Sequence, residues 1–208
     1  MNEGEQVLVG LLLSDGSVTK VPYSVFQVSF SGMRHLLYLA YLKEVLPQAG
    51  LSFGDSYPNV VRYVSKGRTY EHCYLSSLTC TLLNSLRNKW YPRGKKDVPK
   101  DILLAPIILA HWFMGDGCSF RVGKNKIGVE VQLATCAFSE DSIALLEAEF
   151  CRLGISTSRC HNHRVHTGSG INIYIKQRSV DNFMRIVEPY VMEPFTYKVK
   201  YRGVLLGV

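Results

Sequence analysis

The chain has 208 residues, enough for one large domain or two small ones, and at 47% hydrophobic it can fill a core. Its 24 Lys and Arg against 17 Asp and Glu leave a net charge of +7 and a pI of about 9.1, a balance that suits a polyanionic partner. No apolar run reaches the roughly 18 to 20 residues needed to span a bilayer, the first six residues are acidic and polar rather than a signal peptide, and the six cysteines form no Cys-x-x-Cys pair, so a soluble intracellular protein with free thiols and no membrane partner is expected.

Hydrophobic periodicity gives the elements in order. Residues 7–14 form a buried helix that ends at Asp15-Gly16, with small Gly10 and Ser14 on one face. Residues 17–20 and 25–30 make a hairpin through a turn near Val21-Pro22. Phe26, Val28 and Phe30 point one way, and Val25, Gln27 and Ser29 the other. Residues 33–49 are an amphipathic helix stopped by Gly50. Residues 60–64 and 69–75 make a second hairpin whose turn, Ser65-Lys66-Gly67-Arg68, carries two cations, and residues 79–90 are a further helix. Two prolines, a glycine and a basic cluster mark residues 91–100 as the linker. The order then repeats. A short helix from Pro106 to Gly115, stopped by glycine, leads into strands 118–122 and 129–133, where Val129, Val131 and Leu133 alternate with Glu130 and Gln132. Ser139 caps a helix that Gly154 ends. Residues 155–164 and 171–176 form another hairpin, and a last helix runs from about Val180 to Glu188.

Two stretches carry the chemistry. Leu109-Ala110-His111-Trp112-Phe113-Met114-Gly115-Asp116-Gly117 is apolar until one carboxylate appears and glycine follows. Leu8-Val9-Gly10-Leu11-Leu12-Leu13-Ser14-Asp15-Gly16 has the same design. Either alone reads equally well as a core helix with a polar exit. Their separation by about half the chain points to an internal duplication. Each half reads helix, hairpin, helix, hairpin, helix, an α+β arrangement. Two such helices side by side would bring Asp15 and Asp116 together, where like charges repel unless a divalent cation intervenes. A carboxylate pair with metal is suited to phosphodiester hydrolysis.

Position by position, these stretches resemble the LAGLIDADG motif of homing endonucleases. The first keeps Leu8, Gly10, Leu11, Asp15 and Gly16, and the second keeps Leu109, Ala110, Asp116 and Gly117. The second departs at His111 and Trp112 and is similar to the branch whose motif reads Trp-Phe-Met before the acidic residue. The resemblance covers nearly the whole chain. It implies a pseudo-two-fold duplication of αββαββα halves, at residues 1–94 and 105–208 around a linker at 95–104. The motif helices would pack at the centre and two antiparallel sheets would form a saddle over double-stranded DNA. It further implies a single-chain, monomeric, intron-encoded endonuclease that uses Mg²⁺ to make a staggered double-strand cut in a long asymmetric target. An intron RNA maturase on the same fold and a DNA-binding regulator without chemistry are the rival readings. The presence of both aspartates favours cleavage. Such genes often reside in organellar introns, so a mitochondrion or chloroplast is a candidate compartment.

Asp15 and Asp116 are the expected metal ligands, joined by the backbone carbonyls of Ser14 and Gly115. Each carboxylate otherwise lies unfavourably at the negative end of a helix dipole. From the resemblance, Lys96 in Lys95-Lys96-Asp97-Val98-Pro99 and Lys198 after Tyr197 are expected to steady charge at the cleaved phosphate. The expected DNA-facing residues are Ser17, Thr19, Lys20, Gln27 and Ser29 in the first half. In the second they are Arg121, Glu130, Gln132, Asn172, Tyr174 and Lys176, with chemistry suited to base edges. Hairpin-tip Lys66, Arg68, Lys124 and Lys126 suit phosphates. Without the motifs, all of these read as solvated lysines and an ordinary polar sheet face. Cys160-His161-Asn162-His163 with His166 holds zinc-ligand residue types, but a hairpin register scatters them, and a DNA-facing loop is the expectation.

Overall fold

The computed structural model describes residues 1–20, 24–55, 58–65, 67–122, 128–162 and 168–200. Contacts divide the chain into two compact units, Met1–Lys89 and Trp90–Val208.

In the first unit, α1 (Glu3–Leu13) begins on a capping box. The Asn2 side chain accepts from the Glu5 N–H, and the Glu5 carboxylate accepts from the Asn2 N–H. The helix therefore starts four residues before the apolar run, on the polar residues that precede it. Then come β1 (Ser17–Val18), β2 (Phe26–Ser31), α2 (Leu36–Val45), β3 (Asn59–Ser65), β4 (Arg68–Ser76) and α3 (Thr81–Trp90). Short 3-10 turns, Met33–His35 and Leu46–Ala49, flank α2, and Gly50 ends the run with φ +80°. The strands pair antiparallel in the order β1-β2-β4-β3. Phe26, Val28 and Phe30 of β2 and Cys73 and Leu75 of β4 turn inward, and with Leu11, Leu12, Tyr38, Leu39 and Leu42 they make the core. A Cβ at Gly4 would lie 2.5 Å from the Val45 carbonyl oxygen, so only glycine lets α1 rest on the end of α2. Beyond the core, β3 is exposed on both faces, with Val60, Val61, Tyr63 and Val64 in solvent.

The second unit repeats the order with α4 (Pro106–Asp116), β5 (Gly117–Val122), β6 (Gly128–Leu133), α5 (Glu140–Arg152), β7 (Thr157–His161), β8 (Ile171–Ile175) and α6 (Gln177–Val187). Its antiparallel sheet runs β5-β6-β8-β7. Val129, Val131 and Leu133 of β6 and Ile171, Ile173 and Ile175 of β8 face inward. The helix α4 is buried from Ile108 to Met114, as its lack of a polar face requires. Ser139 caps α5 by accepting from the Ser142 N–H. The stretch expected to link the halves is hydrogen-bonded to this helix. The Asp97 carboxylate accepts from the Ser139 and Val98 amides and from the Ser142 hydroxyl. Leu104 is tied through its N–H to Glu149 and through its carbonyl to Arg152. Burial pushes the Asp97 carboxyl up, but hydrogen bonds from Ser142 and Ser139 outweigh it and hold the group below its ordinary value.

Candidate functional site

Each motif helix delivers its aspartate by a different closure of the helix end. At the end of α1, the buried Ser14 hydroxyl donates back to the carbonyls of Gly10 and Leu11, at 3.1 and 3.3 Å. Gly16 N–H donates to the Leu11 carbonyl at 2.8 Å. A Cβ on Gly16 would sit 2.8 Å from that oxygen, so the chain can fold over it only as glycine. The intervening Asp15 is thrown to the exposed side. Gly10 and Ser14, read as a small-residue face, are thus also acceptor and donor, in that order, in the helix's own closure.

At the end of α4, Asp116 is the last helical residue and is half-buried. The helix thus runs one residue past Gly115, where it was expected to stop, and Gly117 follows with φ −86°, an extended conformation open to any residue. Its lack of a side chain matters for space. A Cβ there would lie 2.3 Å from Phe113 Cδ2 and 2.6 Å from the Phe113 carbonyl oxygen. The helix end is held by Lys198, which is only 8% exposed. Its ammonium donates to the carbonyls of Phe113 (3.0 Å), Met114 (2.6 Å), Gly115 (3.1 Å) and Gly117 (2.6 Å). Phe113 and Phe195 rings flank the ammonium at 5.8 Å. The last carbonyls of a helix lack intrahelical partners and carry the negative end of its dipole. Lys198 answers both needs beside Asp116. Its three protons are shared among four carbonyl oxygens, so the ammonium is engaged at the helix end.

His111 stands within α4 where the family motif has glycine. Burial drives its pKa down to about 3, so it is neutral at physiological pH. Lys96 is half-buried next to Asp97.

The sheet faces resolve the other residues. Ser17, Gln27 and Ser29 lie opposite the inward Phe26, Val28 and Phe30. The same face carries Tyr70, His72 and Tyr74 of β4 and Tyr63 of β3. Tyr63 stacks on Tyr70, and the Tyr63 hydroxyl lies 3.2 Å from His72 Nε2. This aromatic row was not picked out from the sequence. The signal was present, since Tyr70, His72 and Tyr74 alternate with Cys73 and Leu75. Thr19 is bound to Val25 through backbone and hydroxyl, Lys20 is exposed, and Arg68 is exposed at the β3–β4 turn.

In the second sheet, Glu130, Gln132 and Tyr174 occupy the outer face as expected. Arg121 does not. It pairs with Val129, so it lies on the inward side beyond the core, while Cys118 and Phe120 take the outer positions. A one-residue step reverses the face of a strand residue. Asn172 alternates outward but is buried, its side chain accepting from the Thr135 N–H. Lys176 is exposed just before α6. Lys66, Lys124 and Lys126, the Val21-Pro22 turn, and His163 and His166 lie outside the described residues.

Among the described residues, no three His, Cys, Asp or Glu side chains gather as a metal site, and no helix is long and apolar enough to cross a membrane. A divalent ion at Asp15 or Asp116 would therefore be held by carboxylate, backbone carbonyl and substrate oxygens. That hard-oxygen set fits Mg²⁺.

The family model described as "LAGLIDADG DNA endonuclease family" matches residues 5–183. An uncharacterised protein of Methanocaldococcus jannaschii is 29% identical over 198 residues, covering 92% of this chain and 71% of that protein. Cytochrome b mRNA maturase bI2 of Debaryomyces hansenii is 25% identical over 199 residues, covering 93% and 72%. Its Saccharomyces cerevisiae namesake is 26% identical over 207 residues, and there the match spans 46% of the longer protein. Among solved structures, the homing endonuclease I-WcaI bound to its DNA recognition sequence superposes with a TM-score of 0.79 at 19% identity, covering 95% of this chain and 85% of that one. An I-DmoI variant with nicked target DNA and manganese gives 0.53 at 13% identity, covering 89% and 94%. At these identities the structural matches establish the shared fold.

Proposed function

We propose that this chain, which belongs to the LAGLIDADG DNA endonuclease family, is a site-specific homing endonuclease that acts as a monomer and makes a staggered double-strand cut in a long asymmetric duplex, with Mg²⁺. The observation that carries the proposal is the pair of buried helices that each end in Asp-Gly with the carboxylate brought out at the carbonyl end. Asp15 and Asp116 are the metal-holding residues, with the carbonyls of Ser14 and Gly115 beside them. Bound Mg²⁺ supplies Lewis-acid stabilisation of the phosphate and a more acidic water. Lys96 steadies phosphate charge. Lys198 is a positioning residue, because its ammonium is spent on the end of α4 next to Asp116. The outer faces of the two sheets meet the DNA, with Gln27, Ser29, Tyr74, Glu130, Gln132 and Tyr174 among the groups that reach base edges.

The test is selection of cut duplexes from a randomised DNA library in Mg²⁺. The parent should enrich one long sequence. Asp15→Asn or Asp116→Asn should remove double-strand cutting and leave gel-shift binding of that sequence nearly unchanged. Cutting at the parent rate by either variant would refute the metal assignment.

The likeness to the two cytochrome b mRNA maturases favours one second reading, assistance to intron splicing. It predicts a gel shift with intron RNA that excess non-cognate RNA does not displace, and it is compatible with cleavage.

A further inference from the structure

The outer face of the second sheet carries one row in register across all four strands: Cys118, Gln132, Tyr174 and Ser158. The Tyr174 hydroxyl donates to Gln132 Oε1 at 2.9 Å, and the Cys118 thiol points at the same oxygen from 3.9 Å. The Phe120 ring meets the Tyr174 ring edge-on, centroids 6.5 Å apart, so rings from β5 and β8 close over β6 beside Gln132. Burial, with the Glu130 carboxylate adding to it, raises the Tyr174 pKa above its ordinary value, and the hydroxyl keeps its proton at neutral pH. An amide oxygen has two lone pairs, and with one taken by the Tyr174 hydroxyl and the other faced by the Cys118 thiol, the Gln132 amide has its two N–H donors left to offer.

We propose that Tyr174 and Gln132 form a specificity element: Tyr174 holds the amide oxygen, Gln132 presents donors only, and the base it faces is selected as an acceptor, guanine ahead of adenine. The proposal rests on the endonuclease reading and deepens it. An unconstrained glutamine pairs with adenine in two directions, donating to N7 and accepting from N6. With Oε1 taken, the accepting half of that pairing is lost. Guanine offers acceptors at both N7 and O6, so a donor-only group serves it fully. Cytosine presents an N4 donor in the major groove and meets no acceptor, so it is excluded.

The experiment compares base preferences at every target position, from randomised duplexes recovered by gel shift and, separately, by cleavage in Mg²⁺. In the parent, one position should favour guanine over adenine by about tenfold, the lower range of one good base contact. Tyr174→Phe removes only the hydroxyl and should raise adenine to parity or above at that position alone. Gln132→Glu replaces donors with acceptors and should move the same position toward cytosine. Gln132→Ala should flatten it. If Tyr174→Phe keeps the parent profile everywhere, or if Gln132→Ala flattens no position, the specificity element is overturned while a defined target still upholds the endonuclease. If the parent enriches no duplex by either route, both readings fall together.

Discussion

Lys198 decides how the second motif helix ends. A buried ammonium is costly unless its donors are satisfied, and four backbone carbonyls within 3.1 Å satisfy it. The Phe113 carbonyl also accepts from the Gly117 N–H, but a helix offers no donors of its own to the carbonyls that follow it at its end. Lys198→Met keeps the apolar stem between Phe113 and Phe195 and removes the charge. It should destabilise the fold by at least the roughly 1–3 kcal/mol of one stranded buried acceptor, read as a lower urea midpoint. Lys198→Arg should recover only part of the loss, because a planar fork cannot converge on four oxygens as a compact point charge does. A Met variant with the parent midpoint would show that the ammonium contributes nothing to the helix end. The sequence pointed to Lys198 through its resemblance, as a group acting on the phosphate. Its partners are carbonyls some eighty positions earlier in the chain, and nothing local to Tyr197-Lys198 announces them. Asp15 and Asp116 were legible, because an abrupt carboxylate-glycine step after an apolar run leaves a trace in the sequence itself.

At the scale of elements, the inward faces followed from alternation alone. Phe26, Val28 and Phe30, then Val129, Val131 and Leu133, are buried as the period of two requires. Arg121 shows where that reasoning fails. Cys118–Val122 has no clear alternation of its own, so its face is set by pairing with β6, a long-range fact. Residues 91–100 read as a linker because two prolines, a glycine and a basic cluster fall there. The hydrogen bonds of this stretch and of Leu104 to α5 come from Asp97, Glu149 and Arg152, whose partnership no local pattern encodes. The helix α4 adds a consequence for acid stability. It is apolar all round, and His111 sits buried within it. Below about pH 6.5 the unfolded chain takes up a proton on this histidine, whereas the folded chain refuses it until about 3. The unfolded state then binds more protons, so stability falls as pH drops through that window. The parent's urea midpoint should therefore decrease between roughly pH 7.5 and pH 5, and His111→Gln, which does not titrate, should lose most of the decrease. An equal decrease in both proteins would place the acid sensitivity elsewhere.

At the scale of the whole molecule, the count of 24 Lys and Arg overstates the cations that a polyanion would meet. Arg62 pairs with Glu71, Arg152 with Glu149 and Arg159 with Glu147, while Lys198 is buried. Arg159 also lies on the inward side of its sheet, in register with Ile173. Arg68 is exposed at the β3–β4 turn, at the end of the sheet face that carries Gln27, Ser29 and Tyr74. Binding driven by phosphate contacts releases counterions, so affinity should fall steeply with salt, by a log–log slope of roughly −0.9 for each phosphate neutralised. The two arginines separate location from total charge, since either substitution by alanine changes the net charge equally. Arg68→Ala should make the slope shallower by about 0.9 and weaken binding to all duplexes alike, as loss of one phosphate contact does. Arg159→Ala should leave the slope where it was, because its charge is already spent on Glu147 and turned away from the outer face. Slopes measured by fluorescence anisotropy over a salt series give the answer directly. Equal changes for both variants would mean that the duplex senses only the overall charge of the protein, and the assignment of the outer sheet faces to DNA would then have to be abandoned.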